Sequence, residues 1–178
     1  MTDPKLELWT IGHSTRPLGE FICALDSFRI TMLIDVRSFP GSRRYPQYDG
    51  ARLEAALAES QIKYEHFAEL GGRRRARRDS PNVAWRQEAF RGYADYMETE
   101  GFHRGIDRLL KLARLQRSAI MCAEAVWWRC HRGLISDYLK VKGVEVVHIV
   151  DANHSQPHPF TSAARVVDGE LSYRGLLT

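Results

Sequence analysis

The chain has 178 residues, of which 44% are hydrophobic and 27% are charged, so it reads as a globular protein and not a mainly disordered one. Lys and Arg outnumber Asp and Glu by 26 to 22, a mildly basic balance that by itself is weak support for a nucleic-acid partner. The start, Met1 to Lys5, lacks the apolar segment of a signal peptide, and no apolar run approaches the roughly 18 residues that cross a bilayer.

The three cysteines form an odd set without a secretory signal, which indicates reduced thiols. We therefore expect a cytoplasmic protein with no membrane contact. The sequence leaves the oligomeric state open.

Short apolar strands alternate with amphipathic helices in the first part of the chain. Leu6 to Ile11 and Thr31 to Val36 are typical of strands, and the second is apolar enough to be buried on both faces. Pro17 fits the first turn of a helix, and Arg52 to Ser60 predicts another helix. Ile62 to Phe67 follows as a third strand.

The same alternation continues after a charged loop. Ala84 to Gln116 is predicted to be mostly helical, with a break near Gly101. Ser118 to Cys122 is a buried type of strand, Cys130 to Lys142 is a helix, and Val144 to Val150 is the last core strand.

Asp168-Gly169 lies between two short strand-like runs and predicts a β-hairpin over residues 163–175. Strands that alternate with helices pair in parallel, with helices on both faces of the sheet. The prediction is one α/β domain over residues 1–178, a three-layer α/β/α fold with a mostly parallel sheet and a C-terminal hairpin.

Polar side chains follow several of these strands, and ligands of open α/β sheets bind beyond the carboxyl ends of the strands. The topology therefore predicts one cleft for residues that are far apart in sequence. These residues are His13, Ser14, Asp35, Arg37, Ser38, Cys122, Glu124, Cys130, His131 and Arg132.

The cleft favours acid–base or nucleophilic chemistry on an anion. Glu124 or Asp35 would act as base or nucleophile and His13 as the proton-transfer partner, while Arg37, Arg43 and Arg132 would hold phosphate. Each residue also has a structural alternative: His13 could cap a helix, Asp35 could pair with an arginine, and Glu124 could anchor its loop through a nearby arginine.

Cys130 precedes a helix beside His131 and Arg132, a setting that lowers a thiol pKa and favours a nucleophile, alone or as a redox pair with Cys122. Zinc, with His13 or His131 completing a set, is a third interpretation. The C-x7-C-H spacing matches no usual structural zinc pattern, so we expect neither metal nor cofactor. Cys122 is interpreted as a small packed side chain.

Gly71 to Arg78 carries five arginines and predicts a solvated basic loop that would attract any nearby polyanion. Tyr93 and Tyr96 share one helix face and could stack with Arg91 on a base, although aromatics at this spacing more often face the core.

Several separated motifs carry a family resemblance: Thr10 to Ser14, Ile34 to Ser38 with Pro40, Tyr64 to Gly72, Phe90 to Met97, and Met121 to Glu124 followed by Cys130 to Arg132. With these motifs in this order, the chain resembles the bacterial family named domain of unknown function 488 over residues 6–151. The resemblance implies a compact α/β fold and a site at the strand ends, and it implies no established activity.

Whether the protein is an enzyme stays open at this point. The leading hypothesis is an enzyme or processing factor acting on a phosphate-bearing ligand, nucleic acid or nucleotide, through Arg37, Arg43, Arg132 and the basic loop. The alternatives are a thiol-dependent or redox enzyme that uses Cys130, and a non-catalytic module that binds nucleic acid or protein.

Overall fold

A computed structural model describes residues 5–175 of the chain. Residues 1–4, which belong to the Met1-to-Lys5 start considered above, lie outside the described range. Within residues 5–175 there are five α-helices and eight β-strands. The helices are α1 (Leu18–Ser27), α2 (Gly50–Glu59), α3 (Glu88–Tyr96), α4 (Glu100–Leu115) and α5 (Arg132–Val141). The strands are β1 (Glu7–Gly12), β2 (Met32–Asp35), β3 (Lys63–His66), β4 (Ser118–Cys122), β5 (Glu145–Ile149), β6 (Ser155–Pro157), β7 (Arg165–Val167) and β8 (Glu170–Ser172). Over the described range, no helix is both long and apolar enough to cross a membrane.

Six of the strands form one sheet in the order β3-β2-β4-β1-β5-β6. The pairs from β3 to β5 are parallel, and β6 adds to the edge in the antiparallel direction. The mostly parallel sheet predicted from the alternation of strands and helices is therefore confirmed.

Helices cover both faces of this sheet. Successive strand residues point to opposite sides, so each strand contributes side chains to a core on either face. Leu8 of β1 packs in a core with α3, α4 and α5, whereas its neighbour Trp9 packs on the other face with α1 and α2. The result is the predicted three-layer architecture. It leaves the carboxyl ends of the parallel strands along one edge of the middle layer.

The predicted helix from Ala84 begins only at Glu88, so this boundary was wrong. The backbone N–H of Ala84 donates to the carbonyl of Tyr173, which holds residue 84 against the C-terminal segment outside the helix. The predicted break near Gly101 is present just before that residue, where the Thr99 side chain accepts from Phe102 N and caps α4.

The C-terminal hairpin of β7 and β8 is confirmed, with a turn at Asp168 and Gly169 in which φ is 51° and 79°. Positive φ at both central residues is the arrangement that Asp-Gly turns favour. β6 is not predicted by the sequence pattern, because its three residues include Pro157 and show no apolar alternation. Proline is tolerated there because β6 is an edge strand.

Candidate functional site

A cavity of about 360 Å³ opens at the edge of the sheet where β2 and β4 end. Its wall includes residues from the loops after β2 and β4, from the basic loop and from the start of α5, and we call it the Cys130 cavity. Ser38, Gly72, Arg73, Cys122, Arg129 and Cys130 line it. The cavity therefore lies beyond the carboxyl ends of the strands, where ligands of open α/β sheets bind.

Cys130 lies immediately before α5, and its sulfur receives several donors. The backbone N–H and the Nε of Arg132 lie 3.5 and 3.4 Å from Cys130 Sγ. An α-helix carries a partial positive charge at its N-terminus, and a guanidinium carries a full one. Both favour a thiolate at this position.

His131 is held between a backbone carbonyl and the two sulfurs. Its Nε2–H donates to the carbonyl oxygen of Val36 at 2.9 Å, so Nδ1 is directed at the cysteines. Nδ1 lies 3.6 Å from Cys130 Sγ and 4.0 Å from Cys122 Sγ. The ring packs against Gly72, where an added Cβ would come within 2.4 Å of Nδ1. The imidazole is therefore positioned to exchange a proton with a thiol.

The two thiols differ in their acidity. Burial raises the pKa of Cys130, but the hydrogen bond from Cys122 and the charges of His131 and Arg132 outweigh burial and leave the pKa well below its ordinary value. The pKa of Cys122 is raised well above its ordinary value, first by its hydrogen bond to Cys130 and then by burial. Cys130 is thus the more acidic of the two thiols.

The same three residues offer donors for a metal ion. The ligand atoms of Cys122, Cys130 and His131 lie within 4.8 Å of one another, and two thiolates and an imidazole form a donor set that Zn²⁺ accepts. A cation between them would share Cys130 Sγ with the guanidinium of Arg132. The repulsion between those two positive charges favours the free thiolate at this sulfur.

Arg132 does not lie where a substrate phosphate would meet it. Only 1% of Arg132 is exposed, and its guanidinium points into the protein. Besides Cys130 Sγ, it donates from Nη1 to Thr10 Oγ1 at 3.3 Å and from Nη2 to the carbonyl oxygen of Glu124 at 2.6 Å. The anion that Arg132 meets is thus the sulfur of Cys130.

Asp35 forms an ion pair, one of the two roles considered for it. Its carboxylate receives Nε and Nη2 of Arg37 at 2.9 and 2.7 Å and the hydroxyl of Tyr64 at 2.6 Å. Asp35 is fully buried, so these partners leave it no access to a substrate. Arg37 lines the Cys130 cavity through the rest of its side chain.

His13 and Ser14 lie beside a neighbouring depression. His13 stacks on Tyr48 at 4.1 Å, and its Nδ1–H donates to the Ser14 carbonyl at 2.9 Å. Burial lowers the pKa of His13 below its ordinary value. Arg37 and Glu124 line both this depression and the Cys130 cavity. The structure thus places His13, which is buried, at the neighbouring depression and not with the cysteines.

Glu124 is exposed on that rim. Among the residues that the structure describes, its carboxylate has no hydrogen-bond or ion-pair partner, and only its carbonyl is bound, by Arg132. Ser38 lies at the Cys130 cavity, where its Oγ accepts from Arg73 N at 3.0 Å. Arg43 is exposed and lies outside the residues that line the cavity.

Tyr93 and Tyr96 pack inward. Tyr93 is fully buried, and its hydroxyl donates to the carbonyl of Leu70 at 2.8 Å. The Arg74 guanidinium lies 3.5 Å from the ring centroid of Tyr96, whose hydroxyl donates to Glu69 O. Both rings are covered by the protein itself, so neither offers an open face to a base.

The arginines of the Gly71–Arg78 loop divide into two groups. Arg74 and Arg77 bond back to the protein, the first through Gly71 O and the second through its backbone N–H to Asp95 at 2.8 Å. Arg73, Arg75 and Arg78 are exposed. Within the described range none of these three has a carboxylate within 4.0 Å. Their charges face solvent, and Arg73 lies at the Cys130 cavity.

Sequence reasoning missed a buried polar group behind Arg132. Thr10 of β1 and His148 of β5 are register partners on adjacent strands, and Thr10 Oγ1 lies 2.6 Å from His148 Nδ1. His158 and Asp137 continue the contact. The ring of Trp127 stacks on that of His148 at 4.8 Å. The available signal was a polar residue inside each of two apolar runs, Thr10 and His148, and only the strand pairing connects them.

Comparison with known families gives one match, to the family described as Domain of unknown function DUF488, over residues 17–139. The chain belongs to this family. The match includes the loop after β2, the basic loop, Cys122 and the start of α5, and it begins after the Thr10-to-Ser14 motif. No curated protein and no solved structure matches the chain.

Proposed function

We propose that this member of the DUF488 family is a thiol-dependent enzyme in which the Cys130 thiolate attacks a phosphate-bearing substrate in the Cys130 cavity. The observation that carries the proposal is the burial of Arg132 against Cys130 Sγ.

A buried guanidinium is costly unless an opposite charge lies beside it. Among the residues that the structure describes, no carboxylate lies within 4.0 Å of Arg132, and its other acceptors are a hydroxyl and backbone carbonyls. Cys130 is the contact that can carry a negative charge. A thiolate at Cys130 therefore balances Arg132, and Arg132 stabilises the thiolate in return.

His131 completes a nucleophile–base pair. A catalytic thiol is activated by an adjacent base, and a third group orients that base. Here the base is His131, whose Nδ1 is directed at Cys130 Sγ, and the orienting group is the carbonyl of Val36. His131 holds the proton that leaves Cys130. The leaving group of the substrate would later take up this proton.

The lining of the cavity favours an anion. Arg73 and Arg129 line it beside the cysteines, and the guanidinium geometry suits phosphate oxygens, whereas the guanidinium of Arg37 is paired with Asp35. Phe39 is 68% exposed at the same rim, with the Arg73 guanidinium 5.4 Å from its ring centroid. An exposed ring beside arginines suits a nucleotide, whose base can stack while its phosphate enters the cavity.

The reaction would take place in two steps. Cys130 Sγ forms a bond to phosphorus, and the bond to the leaving oxygen breaks with its electron pair on that oxygen, which takes a proton from His131. Water then attacks phosphorus, the S–P bond breaks with its electrons returning to sulfur, and the proton of the water passes to His131 Nδ1. Glu124, at the rim, would contact the substrate without bonding to it covalently.

We also propose a cytoplasmic location, because a nucleophilic dithiol needs a reducing compartment.

The test is alkylation by iodoacetamide between about pH 5 and about pH 9, resolved by mass spectrometry at each cysteine. Cys23, exposed on α1, serves as the internal standard for the reagent. We expect Cys130 to react with a midpoint below about pH 7.5, and Arg132→Gln to move that midpoint upward. Inorganic phosphate or a nucleotide should slow the reaction at Cys130 alone, and less so at high salt.

Two results would contradict the proposal. One is a Cys130 midpoint at the ordinary thiol value of about 8.5. The other is a stoichiometric zinc ion in the purified protein whose removal by a chelator is needed before either cavity cysteine is alkylated.

A further inference from the structure

A continuous chain of buried hydrogen bonds leads away from Arg132 on the side opposite to the cavity. Arg132 Nη1 contacts Thr10 Oγ1 at 3.3 Å, and Thr10 Oγ1 contacts His148 Nδ1 at 2.6 Å. His148 Nε2 then contacts His158 Nδ1 at 2.8 Å, and His158 Nε2 contacts Asp137 Oδ1 at 2.8 Å. We call these five residues the Arg132–Asp137 chain. All of them are buried.

The chain has a definite direction when both imidazoles are neutral. Arg132 can only donate and the Asp137 carboxylate can only accept, so every intermediate group accepts on the Arg132 side and donates on the Asp137 side. The hydroxyl of Thr10 then donates to His148 Nδ1, and each histidine carries its proton on Nε2. Burial is the largest cause that lowers the pKa of His148 to about 2, and the charge of Arg132 acts in the same direction, which keeps that ring neutral.

Asp137 is the accepting end of this chain of hydrogen bonds. Its carboxylate also accepts the backbone N–H and the hydroxyl of Thr161, and the hydroxyl of Tyr173 at 2.7 Å. Four donors therefore meet on this one carboxylate. Trp127 covers the chain, with its ring stacked on His148 and edge-on to His158 at 4.9 Å.

The two ends of the chain lie on the same helix. Arg132 begins α5, Asp137 lies in its middle, and the intermediate residues belong to β1, to β5 and to the segment after β6. The chain therefore ties the start of α5 to the sheet behind it. The guanidinium is held by Thr10 on one nitrogen and by Glu124 O on another, and this leaves Nε facing Cys130.

We propose that the Arg132–Asp137 chain positions the Arg132 guanidinium against Cys130 Sγ and so keeps that sulfur in its thiolate form. Thr10, His148, His158 and Asp137 are then positioning residues for the thiol. This inference rests on the proposed function, because it assigns them a role in preparing the same nucleophile.

Removing one hydroxyl tests the chain with little change in shape. Thr10→Val deletes the acceptor of Arg132 Nη1 and the donor to His148, whereas Thr10→Ser retains both. The groups that face Cys130 are Cys122, His131, Arg132 and Tyr93, and neither variant alters them. A change in the pKa of Cys130 would thus report the position of Arg132.

The measurement is the pH dependence of Cys130 alkylation in the wild type and in both variants, with thermal unfolding as a check on folding. In Thr10→Val we expect the midpoint to rise by about one unit and the rate at pH values well below the wild-type midpoint to fall about tenfold. Thr10→Ser should keep the wild-type midpoint. A low wild-type midpoint that Thr10→Val leaves unchanged would overturn the chain and leave the proposed function standing.

Nitrogen NMR of the histidine rings gives a readout that does not depend on Cys130. The chain requires both His148 and His158 to be protonated on Nε2 and not on Nδ1 near neutral pH. A proton on Nδ1 of either ring would reverse the direction of the chain and overturn the inference. A wild-type Cys130 midpoint at the ordinary thiol value would instead overturn the proposed function, and with it the effect assigned to the chain.

Discussion

Gly72 shows how a single residue controls the geometry of the thiol pair. A Cβ at this position would lie 2.4 Å from Nδ1 of His131 and 2.7 Å from its Cγ. The ring cannot move away freely, because Nε2 is bonded to the carbonyl of Val36. The absence of a side chain at residue 72 is therefore what allows His131 to face Cys130.

Gly72→Ala should disturb the site and destabilise the protein. We expect the free energy of unfolding to fall by about 1–3 kcal/mol, as in other overpacked positions, and Cys130 alkylation to change as His131 is displaced. Gly19→Ala is the matched control, since a Cβ at residue 19 meets nothing within 4 Å and lies in the first turn of α1. Urea unfolding of both variants measures the difference. Equal stabilities would show that residue 72 has room for a side chain.

Among the contacts between elements, the hydroxyl of Tyr173 joins the segment after the C-terminal hairpin to α5. Tyr173 follows β8, and its side chain reaches Asp137 of α5 at 2.7 Å. Tyr173 is buried, and Trp85 packs against its ring at 5.6 Å. The hairpin thus closes over the end of the Arg132–Asp137 chain.

Tyr173→Phe should weaken this attachment. A hydrogen bond to a charged acceptor contributes about 1.5–3 kcal/mol, so we expect a loss of that order in the free energy of unfolding. Tyr138→Phe is the control, because within residues 5–175 the hydroxyl of Tyr138 has no hydrogen-bond partner. Chemical denaturation checks both. A loss in Tyr138→Phe equal to that in Tyr173→Phe would contradict a specific role for the Asp137 contact.

The elements themselves follow from sequence wherever apolar periodicity decides the outcome. Runs such as Ser118 to Cys122 are strands because alternate side chains enter the two cores. The predictions of elements fail where a contact with another part of the chain determines the local structure. Ala84 is bonded to Tyr173 and stays out of α3, and β6 exists because β5 offers it an edge.

The candidate site likewise has one part that follows from the sequence and another part that does not. The meeting of Cys122, Cys130 and His131 follows from the rule that ligands bind beyond strand ends. The orientation of Arg132 does not follow, because its acceptors include Thr10 on β1 and the carbonyl of Glu124, and only the folded chain assembles them. An arginine expected to meet a substrate phosphate is therefore found buried behind the thiol.

For the whole molecule, the Cys130–Arg132 pair makes stability depend on pH. The pKa of Cys130 is well below its ordinary value in the folded protein. Its contribution is therefore fully present above the unfolded thiol pKa of about 8.5, and is lost as the pH falls through the folded pKa. Cys130→Ser removes this contribution and leaves Arg132 without a counter-charge.

The stability difference between the wild type and Cys130→Ser should accordingly grow from acid pH to about pH 8.5 and then level off. Urea unfolding at several pH values measures it. Cys23→Ser, on the exposed face of α1, is the control for cysteine replacement and should show no such trend. A difference that shrinks as the pH rises would have the wrong sign for a stabilised thiolate.

The central claim is that Cys130 is a thiolate near neutral pH because Arg132 is buried beside it. A thiolate absorbs in the ultraviolet where a thiol does not, so a pH titration of the wild type minus that of Cys130→Ser isolates this sulfur. We predict a difference signal with a midpoint below about pH 7.5. A midpoint at or above about pH 8.5, the value of an ordinary thiol, would contradict it.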